Sequence, residues 1–554
     1  MTGRSRARFW YLAWLGVVLV LALLLRLQGI RFGLPALLDP DEPIFLLLAL
    51  RMIKEHTLNP AWFGHPGTTT IYCLALIEMA TFAVGHVLGW FPDSAAFAKA
   101  IYTDPSILFV PGRLFILLCG LVTIILTFAL ARRLFDTRIA SIAALALAID
   151  PLHIRYSQII RTDMQASVFM LLELLAAVAI VRRGDRRDYI FAGIALGLAC
   201  ATKWPAAASV VGVFGAALLR LLEHPQEFGQ LSRRTLLFIA TAIATLLLTS
   251  PFLILDFDTV LANLHGEERP FHLGATGFGL VGNAVWYVKG PFLQSLGPIG
   301  LLLALAGFVI GMRRSSAFAA IILPVAVTFM VMISAQALVW ERWIVPILPL
   351  ATIAMAVGVV AILDIFRRYW SGVPLTAASG LMALLVILPL AATVRSFARE
   401  RVTDTRTQAT AWARARIAPG SKVAVEHMAF DVLRQPWTFL YPAGDAGCVN
   451  VRANLNGEIS YAQIGRWRGM RSVVDIGTVA PQRLSSCRGD WAILVNWDRY
   501  RAEATRFSAE VANYDRFVQS GRVVATFAPV PGEVGGPVVR IVQFPQSTGD
   551  LHRR

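Results

Sequence analysis

Leu38-Asp39-Pro40-Asp41-Glu42-Pro43 follows the first membrane-length apolar run, Trp10 to Leu27, which stands behind a basic start of Arg4, Arg6 and Arg8. Three carboxylates in four residues at a membrane face are costly to hold near hydrocarbon, so they are expected to project into water or a polar cavity. The flanking prolines stiffen the backbone, and Pro43 suits the first turn of a helix expected to reach about His56. Acidic residues also favour a helix N-terminus, so a solvated N-cap is the plain alternative. The rest of the chain decides between the two.

With 56% hydrophobic residues and a mean hydropathy of +0.61, this is a membrane protein rather than a soluble globular one. Several apolar runs reach the roughly 17–25 residues needed to cross a bilayer. No small-residue cleavage site clearly follows the first run, so it is expected to be a retained span. The net charge of +16 is carried almost wholly by arginine, the lysines being Lys54, Lys99, Lys203, Lys289 and Lys422. Most of these arginines flank apolar runs and set topology, so nucleic-acid binding is discounted. Cys73, Cys119 and Cys200 lie in apolar segments as packing residues, whereas Cys448 and Cys487 could pair if their part of the chain faces an oxidising compartment.

Basic clusters mark the expected cytoplasmic ends: the N-terminus, Arg132-Arg133 with Arg138, Arg182 to Arg187, Arg220 with Arg233-Arg234, Arg313-Arg314 and Arg367-Arg368. About eleven crossings place every cluster inside and the C-terminus outside. Thr68 to Gly89 is long enough to span but breaks this parity and carries Glu78 and His86, so an interfacial or re-entrant outer helix is expected there. The outer loops are then about 28–112, 153–163, 254–291 and 336–342. Spans 139–152 and 189–203 are short, so their ends are expected beside a cavity. Residues 1–394 form the membrane domain. Residues 395–554 read as a small outer α/β domain, with a helix over Arg406–Ile417 and strands at Lys422–Glu426, Ser472–Ile476, Trp491–Asn496, Val523–Phe527 and Val538–Phe544. A further helix is expected near Arg499–Ser520.

The outer loops collect the polar residues that carry chemistry. The second reads Asp150-Pro-Leu-His-Ile-Arg155-Tyr-Ser-Gln-Ile-Ile-Arg161-Thr-Asp163, an arginine two residues before a carboxylate at the top of a span. A structural ion pair is the bland reading; a second acid beside the first, with arginines for a phosphate, is the sharper one. Lys203 ends a short span in a chain that otherwise uses arginine, which favours a compact cation over simple snorkelling. His265, Glu267, Glu268, Arg269 and His272 match no helical two-histidine motif, so substrate contact or solvation is expected there and a divalent metal finds no support. Trp340-Glu341-Arg342-Trp343 opens a span, with Arg342 a surface anchor or phosphate ligand. No glycine-rich nucleotide loop is present, so an activated substrate would arrive on the outer face, carried by the membrane.

Taken together, these residues resemble the GT-C superfamily of membrane glycosyltransferases, specifically its protein O-mannosyltransferase and aminoarabinose-transferase branch. The matching pieces are Pro40-Asp41-Glu42, Gly64-His65-Pro66 with Tyr72, Arg113, Arg161-Thr-Asp163, Leu198 to Lys203, and Arg342-Trp-Ile-Val-Pro-Ile-Leu-Pro349. They fall in the family's order over most of the first 360 residues. Asp404-Thr-Arg406 to Ser421-Lys-Val-Ala-Val is similar to the soluble domain of bacterial members.

The resemblance implies a polytopic α-helical fold and a polyprenyl-phosphate-linked sugar donor; the sequence itself points to no cofactor. It implies transfer to a lipid, polysaccharide or protein acceptor at the outer face of a bacterial inner membrane, with the N-terminus cytoplasmic and the C-terminal domain periplasmic. Asp41 matches the catalytic carboxylate and Asp163 the second acidic residue, and Glu42 or Asp163 could supply the charge that stabilises an oxocarbenium-like transition state. Lys203, Arg113, Arg161 and Arg342 would hold the donor phosphate, and His65, Tyr72 and His272 would contact substrate. Relatives often carry Lys-Pro where this chain has His65-Pro66, so a fixed cation is replaced by a titratable one. The rival class is a lipid or sugar transporter or flippase, whose inverted repeats and mid-span charges this sequence lacks.

Overall fold

The computed structural model describes residues 3–426, 435–450 and 473–545, with Gln463, Arg466 and Trp467. The membrane part runs as α1 (Gly3–Leu27), α2 (Glu42–Glu55), α3 (Thr68–Val87), α4 (Ser94–Thr103), α5 (Ser106–Leu134), α6 (Thr137–Ala148) and α7 (Pro151–Tyr156). It continues with α8 (Thr162–Arg182), α9 (Arg186–Thr202), α10 (Val210–Glu223), α11 (Phe228–Thr249), α12 (Phe252–Leu255) and α13 (Phe257–Glu267). It closes with α14 (Gly279–Tyr287), α15 (Leu293–Arg314), α16 (Leu323–Ser334), α17 (Leu348–Tyr369) and α18 (Gly372–Val402).

Among the described residues, nine helical segments are long and apolar enough to cross a membrane, and Thr137–Ala148 and Phe318–Ser334 are shorter apolar helices. The chain is a multi-pass membrane protein. The two short expected spans, 139–152 and 189–203, are not among the nine: the first breaks off at Ala148 and the second ends at Thr202. Thr68–Val87 also qualifies by length and composition, and it packs against α2 directly after the acidic motif.

The apolar stretch of α17 is buried throughout, which makes it the bundle's central helix, whereas α11 and α18 expose most of theirs. α15 and α17 cross backbone to backbone. A methyl group on Gly307 would run into the Ala354 carbonyl, and one on Gly358 into the Leu303 carbonyl. Hydrocarbon gives no solvophobic drive between helices, so such close approach supplies the packing.

The second unit begins with α19 (Thr405–Arg416), since α18 continues without a break past residue 394 to Val402. Its strands are β1 (Lys422–Val425), β2 (Thr438–Pro442), β3 (Cys448–Asn450), β4 (Trp491–Leu494), β5 (Arg522–Phe527) and β6 (Val539–Gln543), ordered β3-β2-β1-β4-β6-β5. β1 is parallel to β2 and β4, and the remaining pairs are antiparallel. The expected Arg499–Ser520 helix is split into α20 (Trp497–Ala502) and α21 (Ser508–Val518). β2 and β3 escaped the sequence reading.

The expected strand Ser472–Ile476 does not form. Ser472 lies outside the described residues, and Asp475 instead caps a single turn over Ile476–Thr478, its carboxylate accepting from the Thr478 amide at 3.1 Å. A short acid that satisfies local amides diverts the backbone from a ladder. Cys448 and Cys487, 39 residues apart in sequence, are joined by a disulfide.

Candidate active site

All four loops expected on the outer side meet at one end of the bundle. α1 ends at Leu27, and the chain then turns through residues 28–38 to Asp39, whose carboxylate accepts from the amides of Asp41 (3.0 Å) and Glu42 (3.3 Å). This turn starts α2, with Asp41 as its N-cap residue. Successive residues at a helix start point about 100° apart, so the adjacent acids diverge.

Glu42 turns into the protein. Arg113 of α5 meets it with two bonds, Nε to Oε1 at 2.9 Å and Nη2 to Oε2 at 2.6 Å, and the Ile160 amide adds a third at 2.9 Å. Arg113 also donates to the carbonyls of Ile30 and Phe32. The Glu42 side chain is 1% exposed and Arg113 fully enclosed. A charge pair whose valences are filled this way ties the acidic loop to α5 and to the loop before α8, and leaves neither group free for a ligand.

Asp41 turns outward, and its side chain is 37% exposed. Arg161, from the loop before α8, donates to Asp41 in a short ion pair and reaches Asp39 at 3.2 Å. Arg342 stands 3.8 Å from the same Asp41 oxygen and stacks 4.5 Å over the Trp340 ring. Burial alone would raise the pKa of Asp41, but the two arginines outweigh it and hold the carboxyl down at about 2.

Asp163 and Lys203 form the next pair, short and almost fully enclosed. Lys203 reaches Asp163 because α9 stops short, at Thr202, which brings the lysine to the depth of the first turn of α8. The segment before α3 docks here as well. Pro66 bridges Lys203, the Gly67 amide donates to the Thr202 carbonyl, and the Trp204 amide donates to the His65 carbonyl. His65 sits half-buried and edge-on to Trp62 at 5.0 Å, and burial, with Lys203 and Arg342 nearby, lowers it to about 3. It is therefore a neutral imidazole at physiological pH, not a substitute for a lysine.

The cluster thus contains three carboxylates, Asp39, Asp41 and Asp163, against three cations, Arg161, Lys203 and Arg342. Arg342 has the loosest of these pairings. A second anion, such as a phosphate, would compete with Asp41 for Arg342 and Arg161.

Other expected contacts fall differently. Tyr72 commits its hydroxyl to the Leu58 carbonyl at 2.9 Å. His272 joins the cluster through Trp340, ring centres 5.2 Å apart. Of the third-loop group, the Glu267 side chain lies against Gly64, the neighbour of His65, and Arg269 bonds the Gly266 carbonyl. The sequence reading passed over Asp39 as a site residue, although the acidic motif contains it; its amide bonds and its pair with Arg161 orient Asp41.

Residues 105–255 match the family model described as dolichyl-phosphate-mannose-protein mannosyltransferase. No curated protein matches the chain by sequence. Among solved structures, ArnT from Cupriavidus metallidurans bound to undecaprenyl phosphate matches with a TM-score of 0.52 at 16% identity, over 98% of this chain and 99% of that one. The archaeal oligosaccharyltransferase AglB from Archaeoglobus fulgidus, in complex with an inhibitory peptide and a dolichol-phosphate, matches at 0.53 and 12% identity, over 93% and 73%. The fold is that of the GT-C superfamily of membrane glycosyltransferases. Arg113, Arg161, Asp163 and Lys203 all lie in the stretch that this family model matches.

Proposed function

We propose that this protein transfers a glycosyl group from a polyprenyl-phosphate sugar to an acceptor at the outer face of the cytoplasmic membrane, with Asp41 as general base. The observation that carries the reading is one half-open carboxylate held by two arginines at the meeting point of four loops. The likeness to ArnT, described with undecaprenyl phosphate, supports a lipid-phosphate donor. The Cys448–Cys487 disulfide supports an oxidising, extracytoplasmic place for the second unit.

The acceptor oxygen attacks the anomeric carbon, the bond from that carbon to the phosphate oxygen breaks, and its electron pair leaves on the lipid phosphate. The acceptor proton passes to Asp41, which must reach hydrogen-bond distance of it. Arg342 and Arg161 stabilise the growing phosphate charge, and Asp163, electrostatically balanced by Lys203, lies beside them.

At a pKa of about 2, Asp41 is a feeble base while both arginines face it. Donor phosphate drawing Arg342 and Arg161 away removes the groups that depress it, so basicity rises when the leaving group is in place. Glu42 and Arg113 are assigned a supporting role here in place of direct catalysis and phosphate binding, because their bonds are filled.

The test is release of free polyprenyl phosphate from a panel of polyprenyl-phosphate sugars by the purified protein in nanodiscs, with membrane extract as acceptor source. Release by wild type and not by Asp41→Asn supports the reading. Silence of wild type with every donor and extract overturns it.

A further inference from the structure

The soluble unit grips both halves of the ion-pair cluster, at two separate points. At the first, Arg406 in the opening turn of α19 is fixed by two bonds to Asp404 (2.9 and 2.8 Å) and donates to the Leu38 carbonyl at 2.8 Å. Leu38 immediately precedes Asp39. The same junction is closed by the Thr405 amide, which donates to the Gly535 carbonyl, and by Arg401, which stacks 4.9 Å over Phe32 of the acidic loop.

At the second point, the strap between α13 and α14 plugs into the soluble unit. Leu273 is buried in the core made by α20, α21 and one face of the sheet. Arg499 donates to the Leu273 carbonyl at 3.1 Å, and Glu503 accepts from the Gly274 amide at 2.7 Å. Phe271 meets Phe507 edge-on at 5.8 Å. Gly274 has a φ of +77°, and a Cβ there would stand 2.6 Å from the Arg499 guanidinium, so the strap is shaped to admit that arginine. The strap's other side pairs with the segment before Arg342: Thr276 bridges Leu338, and the Val339 amide donates to the Ala275 carbonyl at 2.9 Å.

These contacts close a ring. It runs from Arg406 to Leu38 and Asp41, across to Arg342, through Trp340 to His272 and Leu273, and back through Arg499 into the same domain. We infer that the soluble domain is a positioning element for the reaction, in which Arg406 and the Arg499–Glu503 pair set the Asp41-to-Arg342 separation. The inference rests on the functional reading for its effect on turnover, though not for its structural content. A misplacement of about 1 Å at a reacting group costs on the order of a hundredfold in rate, which is the scale at which such a ring matters.

The experiment uses the full chain in nanodiscs, with Arg406→Ala, Arg499→Ala, the double variant, and Arg406→Lys, which keeps a donor for Leu38. Hydrogen exchange is read at the amides of Asp41 and Glu42, which the Asp39 carboxylate protects. Arg499→Ala, although it touches only the strap, is expected to speed exchange at Asp41 and Glu42. Turnover is expected to fall roughly tenfold to a hundredfold in each single variant with the donor KM unchanged. The double variant should lose less than the product of the two single losses, because either break opens the same ring. Arg406→Lys should restore most of the Arg406→Ala loss.

Faster exchange confined to residues 272–275 in Arg499→Ala would overturn the ring, as would multiplicative losses. If wild type turned over no donor, the functional reading alone would fall, since the exchange measurement stands without activity.

Discussion

Asp41 and Glu42 are neighbours in the chain with opposite surroundings: the Glu42 side chain is 1% exposed and bound by three donors, while that of Asp41 is 37% exposed between two arginines. The two acids of one motif therefore divide its work, one anchoring the loop and the other facing outward between Arg161 and Arg342.

Asp41→Asn keeps the side chain's shape and removes the proposed base. Turnover should fall by about 10²–10⁴-fold, with polyprenyl phosphate still binding, because Arg161 and Arg342 lose a competitor for the phosphate. Donor-lipid binding by thermal shift, alongside product release, checks both halves of the statement. Weaker lipid binding in the variant would contradict the competition between carboxylate and phosphate.

Glu42→Gln should behave as a folding lesion. It leaves the enclosed Arg113 without its counter-charge, and breaking a buried pair costs about 3–5 kcal/mol. A large drop in melting temperature is expected. Normal stability with lost turnover would instead return Glu42 to the catalytic set.

Lys203→Met and Asp163→Asn should each destabilise the protein by stranding a buried charge, and the pair of substitutions together should recover part of that loss. Turnover should stay low in all three. A double-mutant cycle on melting temperature measures the coupling, and strictly additive losses would show that the two side chains do not act as a pair.

The soluble domain should lose stability as pH rises. Glu426, at the end of β1, accepts from Tyr514 and from the amides of Ile476, Val495 and Asn496, and Asp475 lies close by in the same network. Burial pushes both carboxyls up, Asp475 to about 7, with the Glu426 charge adding to the effect. A raised carboxyl contributes stability below its unfolded value, near 4, and that contribution is lost as pH climbs through the folded value. The full chain should therefore melt higher near pH 5 than near pH 8, and Asp475→Asn should flatten the difference. A melting temperature that rises over this interval would refute it.

Arg342→Ala should weaken donor binding more than it weakens the fold. Its closest acid stands 3.8 Å away, and its stacking partner Trp340 keeps His272 as a neighbour. The expected outcome is a donor KM raised about tenfold, the scale of one charge-assisted hydrogen bond, with the melting temperature little changed.

Hydropathy and charge are local properties, so the sequence by itself determined the long apolar helices, and the polar segments between them that hold Asp41, Arg161, Asp163, Lys203 and Arg342. It also determined most of the soluble domain's strands, through short apolar runs between turns. The partner of each charge was decided only by tertiary structure. Glu42 meets Arg113 across 71 residues and Asp163 meets Lys203 across 40, separations that carry no periodic signal. The same holds for β2 and β3, whose places depend on β1, and for the strap at Leu273, whose burial needs a core that forms more than 200 residues later. Adjacent acids take different roles because a helix starts between them and turns one inward, a direction set by what the rest of the chain packs there.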